Sequence, residues 1–301
     1  MSYLDVPYDP IGKPVESFIS FNKANFKTVT WNAPENVKYR GRIIYVHGFA
    51  EHSSLYTEIF DKLSQLGYDI FFFDQRGAGE TSRGSDVGNT DEKHTFQDLD
   101  FMIEHNLKLR RKDDEKFYLM GHSMGGGIVL NYAVKGKYKR YIKTIIASAP
   151  LIELHPDTKP SRLLWFFSPA IRVLAPNFVI DSQLRYDFIT SNTKWKNYLM
   201  SHDKKLIGRA KQFYDMFTRG EALTKQSYVK SFDKDIPVLI VHGTDDRIND
   251  LRGSKKFINL LDSSVDKKLE PIEGGKHSLF IEREEIFNNV FSKVTEFLAS
   301  H

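Results

Sequence analysis

Three observations predict an α/β fold, with a mostly parallel sheet covered by helices on both faces. Short apolar runs recur at about residues 42–47, 69–74, 117–121, 142–148, 237–242 and 267–272. Segments of helical spacing alternate with them, at about 55–66, 95–110, 124–136, 251–261 and 284–299, which is the rhythm of strand, crossover helix and strand. The 301 residues are 41% hydrophobic. Such a chain can bury one large core, and folds of this class run past ~200 residues as a single unit.

Taken in order, Ser17–Phe21 and Lys27–Trp31 read as an antiparallel hairpin on the sheet edge. The buried run Arg42–Val46 ends in His47-Gly48-Phe49-Ala50-Glu51-His52, a turn rich enough in glycine and histidine to carry function. His47, at a strand end beside glycine, reads as a structural histidine bonded to backbone. Asp74-Gln75-Arg76-Gly77 reads as a structural turn with a buried Asp74–Arg76 pair.

The most informative stretch follows the run Lys116–Met120: Gly121-His122-Ser123-Met124-Gly125, which opens a helix. With glycine and serine each near ~7% of residues, about 0.1 such Gly-x-Ser-x-Gly pentapeptides are expected by chance in a chain this long. A serine between two glycines at a strand-to-helix junction is a nucleophile elbow, a sharp turn that presents the hydroxyl outward. Its partners come at later strand ends. Pro237–His242 leads to Gly243-Thr244-Asp245-Asp246, and Lys267–Pro271 leads to Glu273-Gly274-Gly275-Lys276-His277-Ser278.

The order Ser, Asp, His is that of the α/β-hydrolase fold. A serine hydroxyl is a weak nucleophile until an imidazole removes its proton, and a carboxylate holds that imidazole's tautomer. Ser123 is therefore the expected nucleophile and His277 the base. Two aspartates compete for the third role. Asp246, four residues after His242, has the usual spacing and is preferred, with Asp245 left to cap the Arg247–Lys256 segment or to face solvent. In this fold one oxyanion donor is the backbone N–H of the residue after the nucleophile, here Met124, and the second comes from the loop after an earlier strand, here Phe49. Glu51 and His52 stand beside that loop, either to meet the alcohol portion of a substrate or to hydrogen-bond within the structure.

Between Pro150 and Asp235 the strand and helix rhythm stops, over a stretch too long for a bare connection. The chain thus divides into a first core part (1–150), an inserted cap (151–235) and a second core part (236–301). The cap holds the apolar run Leu163–Ala175, which is too short and interrupted to span a bilayer. Leu164, Trp165 and Phe166 are expected substrate contacts, as a roof over an acyl tunnel. A second reading has the same run, flanked by Arg162 and Arg172, also dipping into a lipid surface. Lys204–Phe217, with Phe213, Tyr214, Met216 and Phe217 at helical spacing, reads as ordinary amphipathic packing.

Composition excludes several classes. The chain has no cysteine, so there is no disulfide, thiol catalysis or cysteine-bound metal. No metalloprotease, P-loop or dinucleotide motif occurs, and no cofactor or metal is expected. A net charge of +4 is too small to argue for nucleic acid. The opening Met1–Pro7 lacks the basic and apolar regions of a signal peptide, which predicts a cytoplasmic protein.

The elbow Gly121–Gly127, the loop His47–Ser53, the segment Phe73–Gly79 and the run Gly274–Ser278 together resemble the monoglyceride lipases, in their fungal form, over about Phe21 to Leu298. The elbow marks only the serine-hydrolase superfamily; Gly-x-x-Glu-His-Ser after the oxyanion strand marks the subfamily. The resemblance implies nucleophile Ser123, acid Asp246, base His277 and oxyanion amides of Phe49 and Met124. It implies hydrolysis of monoacylglycerol to fatty acid and glycerol, with peripheral contact to intracellular membranes or lipid droplets through the cap. Animal members carry an arginine and a histidine toward the glycerol end, where this chain has Leu55 and Phe280. Other acyl classes, lysophospholipids among them, would use the same steps. A non-catalytic binding protein is opposed by the complete Ser, Asp and His set.

Overall fold

The computed structural model describes residues 6–202 and 206–301, the side chain of Arg162 apart. Of the segments read above, Met1–Asp5 and Lys204 and Lys205 lie outside the described residues. In chain order the elements are β1 (Val15–Phe21), β2 (Ala24–Trp31), β3 (Gly41–Val46), α1 (Thr57–Gln65), β4 (Tyr68–Phe73), α2 (Glu92–Lys108), β5 (Phe117–His122), α3 (Met124–Lys135) and β6 (Ile142–Ser148). Next come α4 (Arg162–Leu174), β7 (Val179–Asp181), α5 (Tyr186–Ile189), α6 (Thr193–His202), β8 (Ile207–Arg209), α7 (Ala210–Ala222) and α8 (Gln226–Val229). The chain closes with β9 (Val238–Gly243), α9 (Leu251–Leu260), β10 (Lys267–Ile272) and α10 (Glu284–Ser300).

Among the described residues eight strands form one sheet, in the order β1-β2-β4-β3-β5-β6-β9-β10. From β4 to β10 the neighbours run parallel, whereas β1 and β2 are antiparallel. The expected edge hairpin is present. Its turn is Asn22-Lys23, both at positive φ, the conformation whose twist matches the flanking strands.

Parallel strands buried on both faces read as continuous apolar runs, and β4 (Tyr-Asp-Ile-Phe-Phe-Phe) is buried at every position. On one face Tyr45, Phe72 and Ile146 pack with α1 and α10 through Phe60, Leu63, Phe287 and Val294. On the other, Ile44, Phe71 and Leu119 pack with α2, α3 and α9 through Met102, Val129 and Phe257. α2 starts earlier than its apolar pattern indicates, because Asp91 accepts the His94 N–H (2.9 Å) and caps it.

β6 and β9 are parallel neighbours, Ile145 opposite Val238. The chain between them leaves the sheet at the carboxyl ends of the strands, where open α/β sheets bind ligands. Among the described residues it carries five helices, of which α4, α6 and α7 are longer than one turn, together with the small antiparallel pair β7–β8. Arg209 on β8 reaches the Val87 carbonyl (3.1 Å), and Arg219 on α7 binds Glu92 at the start of α2 (2.8 Å). α7 is thereby fastened to the core. Among the described residues no helix is long and apolar enough to cross a membrane.

Candidate active site

Ser123 stands between β5 and α3 at φ +52, a conformation that costs an L residue energy and persists where the surroundings impose it. The flanking glycines explain the imposition. A Cβ on Gly125 would lie 2.0 Å from the Val46 carbonyl oxygen, and one on Gly121 would lie 2.6 Å from that of Gly125. No larger residue fits. Met124 begins α3, so its N–H belongs to the first turn and lacks an intrahelical acceptor.

His277 lies in the turn after β10. Its Nε2 lies 2.9 Å from Ser123 Oγ and its Nδ1 lies 2.9 Å from Asp246 Oδ2. Asp246 Oδ1 accepts the backbone N–H groups of Ile248 (2.8 Å) and Asn249 (3.0 Å), and His242 Nε2 is 3.2 Å from Oδ2. Burial opposes charge on Asp246. The His277 charge and the hydrogen bonds of His242 and His277 outweigh it and hold the carboxyl well below the usual carboxylate range. The arrangement is a hydroxyl, an imidazole and an ionised carboxylate in one hydrogen-bonded line, the geometry of an activated serine.

Asp245 faces solvent, and its N–H is bonded to Gly275 O (2.9 Å). It caps nothing, because α9 begins only at Leu251 and its cap is Asp250.

Of the oxyanion loop, Phe49 lines the cavity above Ser123, its ring 5.0 Å from that of Phe213. Glu51 does two things: it lines the same cavity, and its Oε2 accepts both the Gly48 N–H and the Tyr56 hydroxyl. Burial pushes its carboxyl up to about 7. His122 Nε2 sits 3.4 Å from Glu51 Oε1 and 3.3 Å from Ser278 Oγ. His47 is wholly buried, as its expected structural role requires, with Nδ1 on the Gly48 carbonyl (2.7 Å) and Nε2 accepting the Gln75 N–H (2.9 Å); burial lowers its pKa to about 4. The expected Asp74–Arg76 pair is absent. Arg76 makes a two-pronged pair with Asp98 on α2 (2.8 and 2.9 Å), and Asp74 accepts the Glu80 N–H (2.7 Å), its carboxyl raised to about 6 by burial.

The cavity measures about 430 Å³, within the range of small-molecule sites. Leu164 and Trp165 line it as expected, but Phe166 does not: it is 75% exposed, against Phe167 on the outer side of α4. Each helical residue turns ~100° from the last, so three consecutive side chains cannot share one face. The facing wall comes from α7, whose Phe213, Tyr214, Met216 and Phe217 all line the cavity. Their helical spacing predicts ordinary packing, and the structure instead turns them to the cavity. Arg172, expected to flank a lipid surface, instead binds Asp215 on α7 (2.7 Å). Leu55 lines the cavity, whereas Phe280 is buried in the core.

The turn that carries His277 is also bonded to the middle of the inserted segment, at α5 and just after it. Ser278 N–H donates to Ile189 O (2.8 Å), His277 N–H to Phe188 O (3.4 Å), and Thr190 Oγ1 to Ile281 O (2.8 Å). The buried Glu282 carboxylate takes the N–H groups of Ser191 (3.0 Å) and Lys276 (3.2 Å). No local pattern in the sequence signals this clamp, which joins residues about 90 positions apart.

Residues 37–284 match the family described as serine aminopeptidase, S33. The monoglyceride lipase of Saccharomyces cerevisiae is 40% identical over 96% of this chain and 94% of its own length. The chain belongs to the monoglyceride lipase branch of the α/β-hydrolases. A putative monoglyceride lipase of Schizosaccharomyces pombe is 33% identical over 92% of this chain and 72% of its own. Among solved structures, a soluble variant of the S. cerevisiae monoglyceride lipase bound to a substrate analogue superposes with a TM-score of 0.93, at 39% identity and 98% coverage of both chains. The match of this family member to that lipase therefore includes the inserted segment as well as the sheet.

Proposed function

We propose that this chain hydrolyses monoacylglycerol to fatty acid and glycerol, with Ser123 as nucleophile, His277 as general base and acid, Asp246 as the acid partner and the N–H groups of Phe49 and Met124 as oxyanion donors. The observation that carries the reading is the unbroken line Ser123–His277–Asp246 opening on an apolar cavity. Ser123 Oγ gives its proton to His277 Nε2 and bonds to the ester carbon. The carbonyl oxygen, now negative, meets the two amides, and such a donor is worth ~10²–10³ in rate. The protonated His277 then hands its proton to the departing glycerol oxygen. Water repeats the sequence on the acyl-enzyme and releases the fatty acid.

Residues 151–235 act as the cap. α4 and α7 enclose one acyl chain, which favours monoacyl substrates over di- and triacylglycerols. Among the described lining residues there are carboxylates, Glu51 and Asp181, and no lysine or arginine. That supports a neutral glycerol leaving group over the phosphate of a lysophospholipid. The outer face of α4 exposes Leu163, Phe166 and Leu174, and peripheral contact with a membrane or lipid droplet would cover them.

The test is a panel of monoacyl-, diacyl- and lysophospho-glycerols, with fluorophosphonate labelling of the wild type and of Ser123→Ala. Monoacylglycerol should be cut fastest, and the alanine variant should neither label nor turn over. Equal rates on diacylglycerol, faster turnover of a lysophospholipid, or labelling of the alanine variant would overturn the reading.

A further inference from the structure

Asn249 follows Asp246 in the turn after β9 and is 1% exposed. Its side chain crosses to the elbow, where Nδ2 donates to the Ala149 carbonyl (2.8 Å) and lies 3.5 Å from Ser123 Oγ. The backbone leaves little freedom. Asn249 N–H is held by Asp246 Oδ1 (3.0 Å), its carbonyl faces His242 Nε2 (3.2 Å), and it forms a bridge with Leu154. Ala149 is itself at φ +43, a strained conformation that aims its carbonyl at this amide. Turning the amide over would set Oδ1 against that carbonyl, two acceptors face to face. The donor side therefore points at the nucleophile. Among the described residues the other end, Oδ1, is buried with no hydrogen-bond partner, which costs stability. An apolar residue here would avoid that cost, so the retained amide is explained by what its N–H does.

We propose that Asn249 is a further catalytic residue, whose Nδ2–H donates to Ser123 Oγ as that oxygen leaves the acyl-enzyme and so speeds deacylation more than acylation. The inference rests on the Ser123 reading above. In deacylation water bonds to the acyl carbon, its proton passes to His277 Nε2, and the carbonyl electron pair moves onto the oxygen facing Phe49 and Met124. On collapse that pair re-forms the carbonyl, the carbon–Oγ bond breaks with its electrons staying on Oγ, and His277 returns the proton to Oγ.

Only an interaction that strengthens toward the transition state accelerates a step. The bridging oxygen of an ester is a poor acceptor, while a departing, alkoxide-like Oγ is a strong one, since hydrogen bonds to charged acceptors are about twice as strong. From the free enzyme the gain is smaller, because a serine hydroxyl already accepts well. The resting separation of 3.5 Å is long, as catalytic contacts often are before substrate binds.

The test compares wild type with Asn249→Leu and Asn249→Ala, using p-nitrophenyl butyrate, rapid mixing and acid-quench mass spectrometry to count the acyl-enzyme. Melting temperatures and fluorophosphonate labelling rates report whether each variant is folded with a competent Ser123. The deacylation constant should fall about tenfold while acylation and labelling stay within about threefold, so that acyl-enzyme accumulates. Equal slowing of both steps in the folded variants, or unchanged deacylation, would overturn the role of Asn249. Failure of the wild type to label at Ser123 would instead overturn the nucleophile assignment on which it rests.

Discussion

At the floor of the cavity every side-chain polar atom of Asp246 and His277 has a partner within 3.2 Å, whereas α4 above it has no buried residue among those described and leaves Leu163, Phe166, Val173 and Leu174 in solvent. Both regions serve one substrate, yet they are specified differently. The floor depends on single atoms: shifting a donor there by an ångström breaks a line of hydrogen bonds. The roof depends on amount of apolar surface, which many side chains supply equally well. The floor should therefore fail sharply and for every ester, while the roof should fail gradually and only for long chains.

The largest effect is expected in the floor. Asp246→Asn should lower kcat on long and short esters alike by on the order of 10⁴, the cost of a wrong imidazole tautomer. Asp245→Asn, one residue away and exposed, should leave stability within about 0.5 kcal/mol and turnover essentially intact. Steady-state kinetics on both variants decide, and the reverse ranking would move the acid to Asp245.

Glu51 gives the next effect, read as stability against pH. Its carboxyl is raised by burial to about 7, so the folded state favours its neutral form. That contribution is complete below the ordinary carboxyl value and is lost as pH rises through about 7. Relative to wild type, Glu51→Gln should gain up to about 3 kcal/mol between pH 4.5 and pH 8, by the worth of the shift. Denaturant titrations at the two pH values check this; a constant difference between the proteins would show that burial does not hold Glu51 neutral.

For the inner roof, Leu164→Ser with Trp165→Ser should cut kcat/KM for long-chain monoacylglycerol about tenfold or more, since each methylene withdrawn from water contributes about 0.8 kcal/mol. A soluble short ester should be spared. Equal loss on both substrates would break the division between floor and roof. The smallest effect is expected outside: Leu163→Ser with Phe166→Ser should weaken vesicle sedimentation severalfold and leave the short-ester rate unchanged. Unaltered sedimentation would exclude the outer face of α4 as the lipid contact.

The same division explains what could be read from the chain alone. Ser123, Asp246 and His277 sit at strand ends, and the elbow needs glycine at 121 and 125 because backbone atoms crowd both positions. Such constraints are local, so they leave a local pattern. The alternation of strands and helices was legible for the same reason. Arg76 choosing Asp98 over Asp74, and Arg172 choosing Asp215, depend on helices that come together only in the fold. Which side Phe166 faces depends on the phase of α4, and a one-residue shift turns a side chain by ~100°. Asn249 carries no periodicity at all, and its meaning comes from a carbonyl within hydrogen-bond reach in space but 100 positions earlier in the chain.

The hydrogen bonds that tie Phe188, Ile189 and Ser191 to the His277 turn and Glu282 have a consequence for engineering. A cap transplanted from a relative with cuts at 150 and 236 would arrive with the clamp mismatched and the base misaligned, however well its acyl tunnel were designed. Substrate range is better altered by exchanging only the stretch from α4 through β7, upstream of the clamp. A chimera that must include α5 should bring Lys276–Arg283 from the same parent, so that the two strips are inherited together.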